Sequence, residues 1–164
     1  MYQEIWPQII SAVSVILGFL VSQLATEVHN YYARKHKRKI LLREKYEEML
    51  FHFSASLEYL LYLNGSTSQE SVLSLAQCTD ARKALNLCLL YFEDLVHPAN
   101  DYVVDLRSYY ESVIRSYDKN DSCTAGGQAV LKSPDYNNAL KNYFSKKDTF
   151  EHLIMAKVSK YAFA

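Results

Sequence analysis

The sequence predicts an all-α protein in which one N-terminal transmembrane helix continues into a cytoplasmic bundle of about four helices. Three observations predict it. An uncharged run of 22 residues extends from Ile5 to Thr26, apolar residues recur every three or four positions through the rest of the chain, and no segment alternates as a strand would. The 164 residues suit one domain with a substantial core. Balanced charge, 18 basic against 18 acidic residues, with four Gly, three Pro and 49% apolar residues, excludes a disordered chain, a collagen-like fibre and a generally basic nucleic-acid binder. The chain divides into a transmembrane helix over 1–30, a basic juxtamembrane collar over 31–39 and a helical bundle over 40–164.

The first element follows from length. At about 1.5 Å per residue the uncharged run spans about 33 Å, enough for a hydrocarbon core of about 30 Å. Trp6 suits the headgroup level, and Pro7 is tolerated in a first helical turn. A cleaved signal peptide would need a basic residue ahead of the run, and Glu4 is the only charge there. The collar of Arg34, Lys35, Lys37, Arg38 and Lys39 follows, so the expected orientation is N-terminus out, with the bundle in the cytoplasm. Anionic lipid headgroups account for the collar, and direct RNA binding is not expected.

Within the run, Gln8, Ser11, Ser14, Gly18 and Ser22 recur at steps of three or four and share one stripe of a helix. Its centre, Ser14-x3-Gly18-x3-Ser22, is a small-xxx-small pattern. Such a stripe either packs helices closely or lines a wetted multimeric channel, and both need partners, so a homo-oligomer is expected.

After the collar, Leu42, Tyr46, Met49, Leu50, Phe53, Leu57, Leu60 and Leu61 predict a helix continuous with the first and stopped by Asn64-Gly65. Thr67 and Glu70 form a capping box that opens a second helix, running to about Val96 on Val72, Leu75, Ala76, Leu85, Leu89 and Phe92, with His97-Pro98 ending it. A third helix is expected from about Ala99 to Tyr117, then a loop over Asp118–Gln128. Ser133-Pro134 caps a last helix whose apolar face runs from Tyr136 through Leu140, Tyr143, Phe144, Ile154 and Val158 to Tyr161. Most of the 14 Tyr fall on these stripes and read as packing residues.

Little in the chain points to chemistry. Cys78, Cys88 and Cys123 lack zinc-site spacing, no phosphate loop, nucleophile elbow or HExxH occurs, and neither metal nor cofactor is expected. No catalytic residue is assigned; the candidates are Lys147 and His152 in Lys147-Asp148-Thr149-Phe150-Glu151-His152. That segment resembles the HEPN ribonucleases, helical bundles carrying an Arg followed four to six residues later by His. Here Lys replaces Arg and lacks the bidentate grip of a guanidinium on phosphate.

The layout of an N-terminal span, a basic collar and a compact helical body bearing a HEPN-like segment resembles the small membrane accessory proteins of type VI-B CRISPR systems. The resemblance implies a bacterial inner-membrane protein, functionally linked to an RNA-guided RNA-targeting effector, that assembles into a ring and depolarises the membrane in antiviral defence. The functions expected are, in order, such a homo-oligomeric pore or permeability switch, a membrane-tethered HEPN-like ribonuclease, and a non-catalytic tether docking a soluble partner. The partners expected are the chain itself, membrane lipid and that effector.

Overall fold

The computed structural model describes residues 5–66, 68–119 and 134–162, with side chains described for all of these except 5–13 and 116–119. The order of elements is α1 (Ile5–Gly65), α2 (Gln69–Ser74), α3 (Thr79–Tyr91), a short 3₁₀ turn (Glu93–Leu95), α4 (Val96–Lys119) and α5 (Pro134–Tyr161). No strand occurs among the described residues, so the all-α class stands. The chain forms two compact units, Met1–Leu41 and Leu42–Ala164.

The transmembrane helix is corrected. Among the described residues no helix is long and apolar enough to cross a membrane. Side chains of the uncharged run are described from Ser14 to Thr26, with Glu27, His29 and Asn30 directly beyond. The side chains of the rest of the run, from Ile5 to Val13, lie outside the described residues. A single-pass placement with the N-terminus out loses its basis with the span.

The second unit is a helical bundle built on aromatic rings. From residue 42 onward α1 turns Tyr46, Met49, Phe53, Ser56, Leu60 and Leu63 inward at steps of three and four, the period that keeps side chains on one helix face. Near one end of this stretch Tyr46 meets Phe92 edge-on at 5.4 Å and Tyr161 at 5.5 Å, and its hydroxyl donates to the Ile154 carbonyl at 2.5 Å. Farther along, Phe53 packs edge-on against Phe150 at 5.0 Å and Tyr102 at 5.4 Å. The stack continues through Tyr102–Tyr143 and Tyr143–Tyr109 to Tyr136. Apart from Phe92, which lies between α3 and the 3₁₀ turn, these rings come from α1, α4 and α5, so each of these helices is held by the other two. Burial pushes the Tyr46 hydroxyl up to about 12, and those of Tyr102 and Tyr109 rise further, which keeps the stack neutral.

The hydroxyls in this stack are unevenly matched. Tyr102 shares a 2.8 Å hydrogen bond with Ser56 Oγ. Tyr109 donates to Asn64 Oδ1 at 2.5 Å and shares a 2.8 Å bond with Tyr136. The Tyr143 hydroxyl is fully buried and lies near that of Tyr102, but the two make no well-formed hydrogen bond.

Several boundaries differ from the sequence reading. The helix expected from Thr67 to about Val96 is broken at 75–78, where Ala76 adopts φ 52, a left-handed conformation costing a non-Gly residue about 1–2 kcal/mol. The Tyr59 hydroxyl donates to the Ala76 carbonyl at 2.6 Å and holds this break. Thr67 lies outside the described residues; the cap observed on α2 is Ser68, whose side chain accepts from the Ser71 N–H at 3.1 Å. Pro98 does not end a helix. It sits in the first turn of α4, where no N–H is needed. Most of the expected loop, and Ser133, lie outside the described residues, and Asp118 and Lys119 belong to α4.

Candidate functional site

In the first unit Val15, Ile16, Leu17, Phe19, Leu20, Val21 and Leu24 each expose more than half of their surface. At about 100° per residue they occupy most of the helix circumference, and Ser14, Gly18 and Ser22 fill the remaining sector. A helix that is apolar nearly all round is stable in water only when something covers it. All three small residues are exposed, and a Cβ built on Gly18 meets nothing within 4 Å. The Thr26 hydroxyl donates to the Ser22 carbonyl at 2.9 Å, so a polar side chain here is satisfied within the helix. Gln8 and Ser11, the outer members of the stripe, have side chains outside the described residues.

The collar residues Arg34, Lys35, Lys37, Arg38 and Lys39 are all exposed. Arg34 lies 3.8 Å from Glu27, an exposed pair contributing little to stability.

On α5, Lys147 and His152 are not brought into one site. Five residues at about 100° each separate them by about 140° around the helix. Lys147 Nζ sits 2.8 Å from both Asp148 and Glu151, and the Asp148 hydrogen bond leads the contacts that hold its pKa well above the usual lysine value. That ammonium is neutralised by two carboxylates before any phosphate approaches. His152 is exposed.

Two groupings have no pattern in the sequence, because their members come from separate helices. His52 Nδ1 lies 2.9 Å from Asp80 Oδ1, which also takes Lys83 Nζ at 3.3 Å. Burial alone would raise the Asp80 carboxyl, but the hydrogen bonds from Lys83 and His52 hold it below its ordinary value.

The second grouping surrounds a cavity of about 30 Å³ between the C-terminal part of α1, the break before α3, the start of α3 and α4. Ala81, Val103, Leu106 and the Tyr59 and Tyr110 rings form its apolar wall; Cys78, Gln77, Arg82 and Arg107 supply its polar edge. Burial pushes the Cys78 thiol up, partly offset by hydrogen bonds from the Ala81 and Asp80 amides at the start of α3. Cys88, deeper and away from this cavity, is pushed up to about 12 by burial alone. Among the described residues no group of acidic, His or Cys side chains is placed to hold a metal.

No family model matches the chain, and no curated protein or solved structure is similar to it.

Proposed function

We propose that this protein acts by self-association, with copies of the apolar N-terminal part of α1 packing on one another and the helical bundle carried as the soluble-facing body of the assembly. The observation that carries the reading is the ring of exposed apolar side chains from Val15 to Leu24 around a stripe of small residues. Burying the exposed remainder of seven such side chains contributes about 1 kcal/mol each, about 7 kcal/mol per chain before the entropic cost of association. Close approach along Ser14, Gly18 and Ser22 is what makes a second copy a good cover, because backbones come near enough to gain dispersion contacts. A membrane-spanning pore needed the overturned span and is not part of the proposal.

Sedimentation velocity on the full chain tests it. Wild type should sediment as an oligomer at low micromolar concentration. Leu17→Asp with Leu20→Asp should sediment near the 18.9 kDa of one chain with unchanged helix content. A monomeric wild type overturns the reading, and so does a wild type that stays monomeric in buffer yet floats with lipid vesicles.

A further inference from the structure

The cavity between Tyr59, Cys78, Arg82 and Arg107 lies wholly within the second unit and serves no purpose in self-association. Its charge is one-sided: two guanidinium groups line it and no carboxylate does. Arg82 hydrogen-bonds Gln77 and makes no ion pair with a carboxylate among the described residues. Arg107 bonds Glu111 at 2.9 Å, but Glu111 also takes Arg115 at 3.6 Å, so one carboxylate serves two guanidiniums. An arginine without a carboxylate partner, next to a second that shares its carboxylate, at a concave and partly apolar surface is suited to oxyanions, since the planar fork matches carboxylate and phosphate oxygens.

Size limits the ligand. About 30 Å³ of water-accessible space holds one or two waters, which admits one or two oxygens of an anion seated at the opening and excludes a ring. The chain also maintains the opening at a cost. Ala76, next to Gln77, is held left-handed at φ 52 by the Tyr59 hydroxyl, and strain of that kind persists where the surrounding structure enforces it. A relaxed helical path through 75–78 would continue α2 into α3 and remove the break from which Gln77 and Cys78 line the edge.

We infer that this cavity is a binding site for a small oxyanion, a carboxylate or phosphate head group gripped by Arg82 and Arg107 against the wall of Tyr59 and Tyr110. The Cys78 thiol, half-buried at the same opening, reports on occupancy because a bound anion blocks the approach of a neutral alkylating agent.

Alkylation of Cys78 by iodoacetamide at mildly alkaline pH is followed by peptide mass spectrometry on the full chain. The additions are inorganic phosphate, acetate, or chloride at matched ionic strength. Protection of 1 + [L]/Kd is expected from phosphate, acetate or both, about sixfold at an anion concentration about five times Kd, with none from chloride. Which anion protects identifies the head group. Arg82→Gln and Arg107→Gln, both at exposed positions, should each abolish most of the protection. The inference is overturned if no oxyanion protects beyond chloride, or if both variants are protected as well as wild type. Should Cys78 resist alkylation, melting of the same three proteins in phosphate and in chloride decides the matter. A phosphate-specific rise in wild type alone supports the site, and equal shifts in all three overturn it.

Discussion

Tyr143→Phe should stabilise this protein, and Tyr109→Phe should destabilise it, although both remove one hydroxyl from neighbouring rings in the same stack. The Tyr143 side chain is fully buried, and its hydroxyl has only the neighbouring Tyr102 hydroxyl, without a well-formed hydrogen bond. A polar group taken out of water and left unpaired costs about 1–3 kcal/mol, so deleting it and keeping the ring should return about 1 kcal/mol after the small void is charged. Tyr109 is the opposite case. Its hydroxyl bonds both Asn64 and Tyr136, and Tyr136 is 4% exposed, so Tyr109→Phe strands a buried hydroxyl that water cannot reach. Asn64 is exposed and recovers its bond from solvent. The net cost is about 1–2 kcal/mol, and the two variants should differ by about 2–3 kcal/mol, or about 5–10 °C in Tm for a chain this size. Thermal melts followed by circular dichroism at one fixed protein concentration measure it, since assembly makes Tm concentration-dependent. If Tyr143→Phe destabilises as much as Tyr109→Phe, the reasoning fails, and the Tyr143 hydroxyl is bonded in the folded protein through a buried water.

Phe150→Ala removes the ring that α5 places against Phe53 and Tyr102, and should cost about 3–5 kcal/mol, whereas Phe144→Ala, at a 42% exposed position, should cost under about 1 kcal/mol; urea titration separates them. Ala76→Gly should raise stability by up to about 1 kcal/mol, because Gly adopts φ 52 without the Cβ clash. Asp94 accepts from Lys160 at 2.6 Å and Lys157 at 3.0 Å, and these hydrogen bonds lower its carboxyl to about 2. A carboxylate depressed in the folded state contributes stability that is present above its unfolded value near 3.8 and lost as pH falls toward 2. The Tm difference between wild type and Asp94→Asn should therefore shrink across that window; a difference constant from neutral pH to pH 2 refutes the assignment. Cys88, buried and pushed up to about 12, should remain unalkylated under native conditions while Cys78 reacts slowly.

The helical class and the inward faces were legible because they rest on period alone. Tyr46, Met49, Phe53 and Leu60 on α1 and Tyr136, Tyr143 and Ile154 on α5 are buried as their spacing predicts, while Leu61 and Phe144, counted on the same faces, are exposed. Periodicity failed where a tertiary contact overrides it. Nothing in Leu75-Ala76-Gln77-Cys78 marks a break, since neither Gly nor Pro is there; the Tyr59 hydroxyl, 17 positions earlier, stabilises it. Leu89, placed on the second helix's apolar face by counting from Val72, is 58% exposed, because α3 starts afresh at Thr79 with its own phase and buries Ala81, Ala84, Leu87 and Cys88 instead. The cavity was illegible for the same reason: Tyr59, Arg82 and Arg107 acquire a common meaning only once three helices meet.

The N-terminal reading turned on a different quantity. A run without charge is a statement about what the segment avoids, and it is equally true of a helix facing lipid and of one facing its own copies. Among the described residues no helix is long and apolar enough to cross a membrane, and the apolar stretch ends at Thr26 with Glu27, His29 and Asn30 directly beyond. The geometry of the small residues then separates a packing face from filler. Against lipid, Ser14→Leu and Gly18→Leu are gains in apolar area. Against a second helix they are obstacles, because the dispersion gained at close approach is lost once the backbones are held apart. The space around Gly18 is open within the single chain, so Gly18→Leu cannot strain the fold, and any loss of assembly it produces belongs to the interface between copies. Sedimentation of Gly18→Leu beside its melting curve makes that distinction: an unchanged Tm at a dilution where both proteins are monomeric, with a lighter species at micromolar concentration, assigns the stripe to self-association, while an unchanged sedimentation profile removes it from the interface.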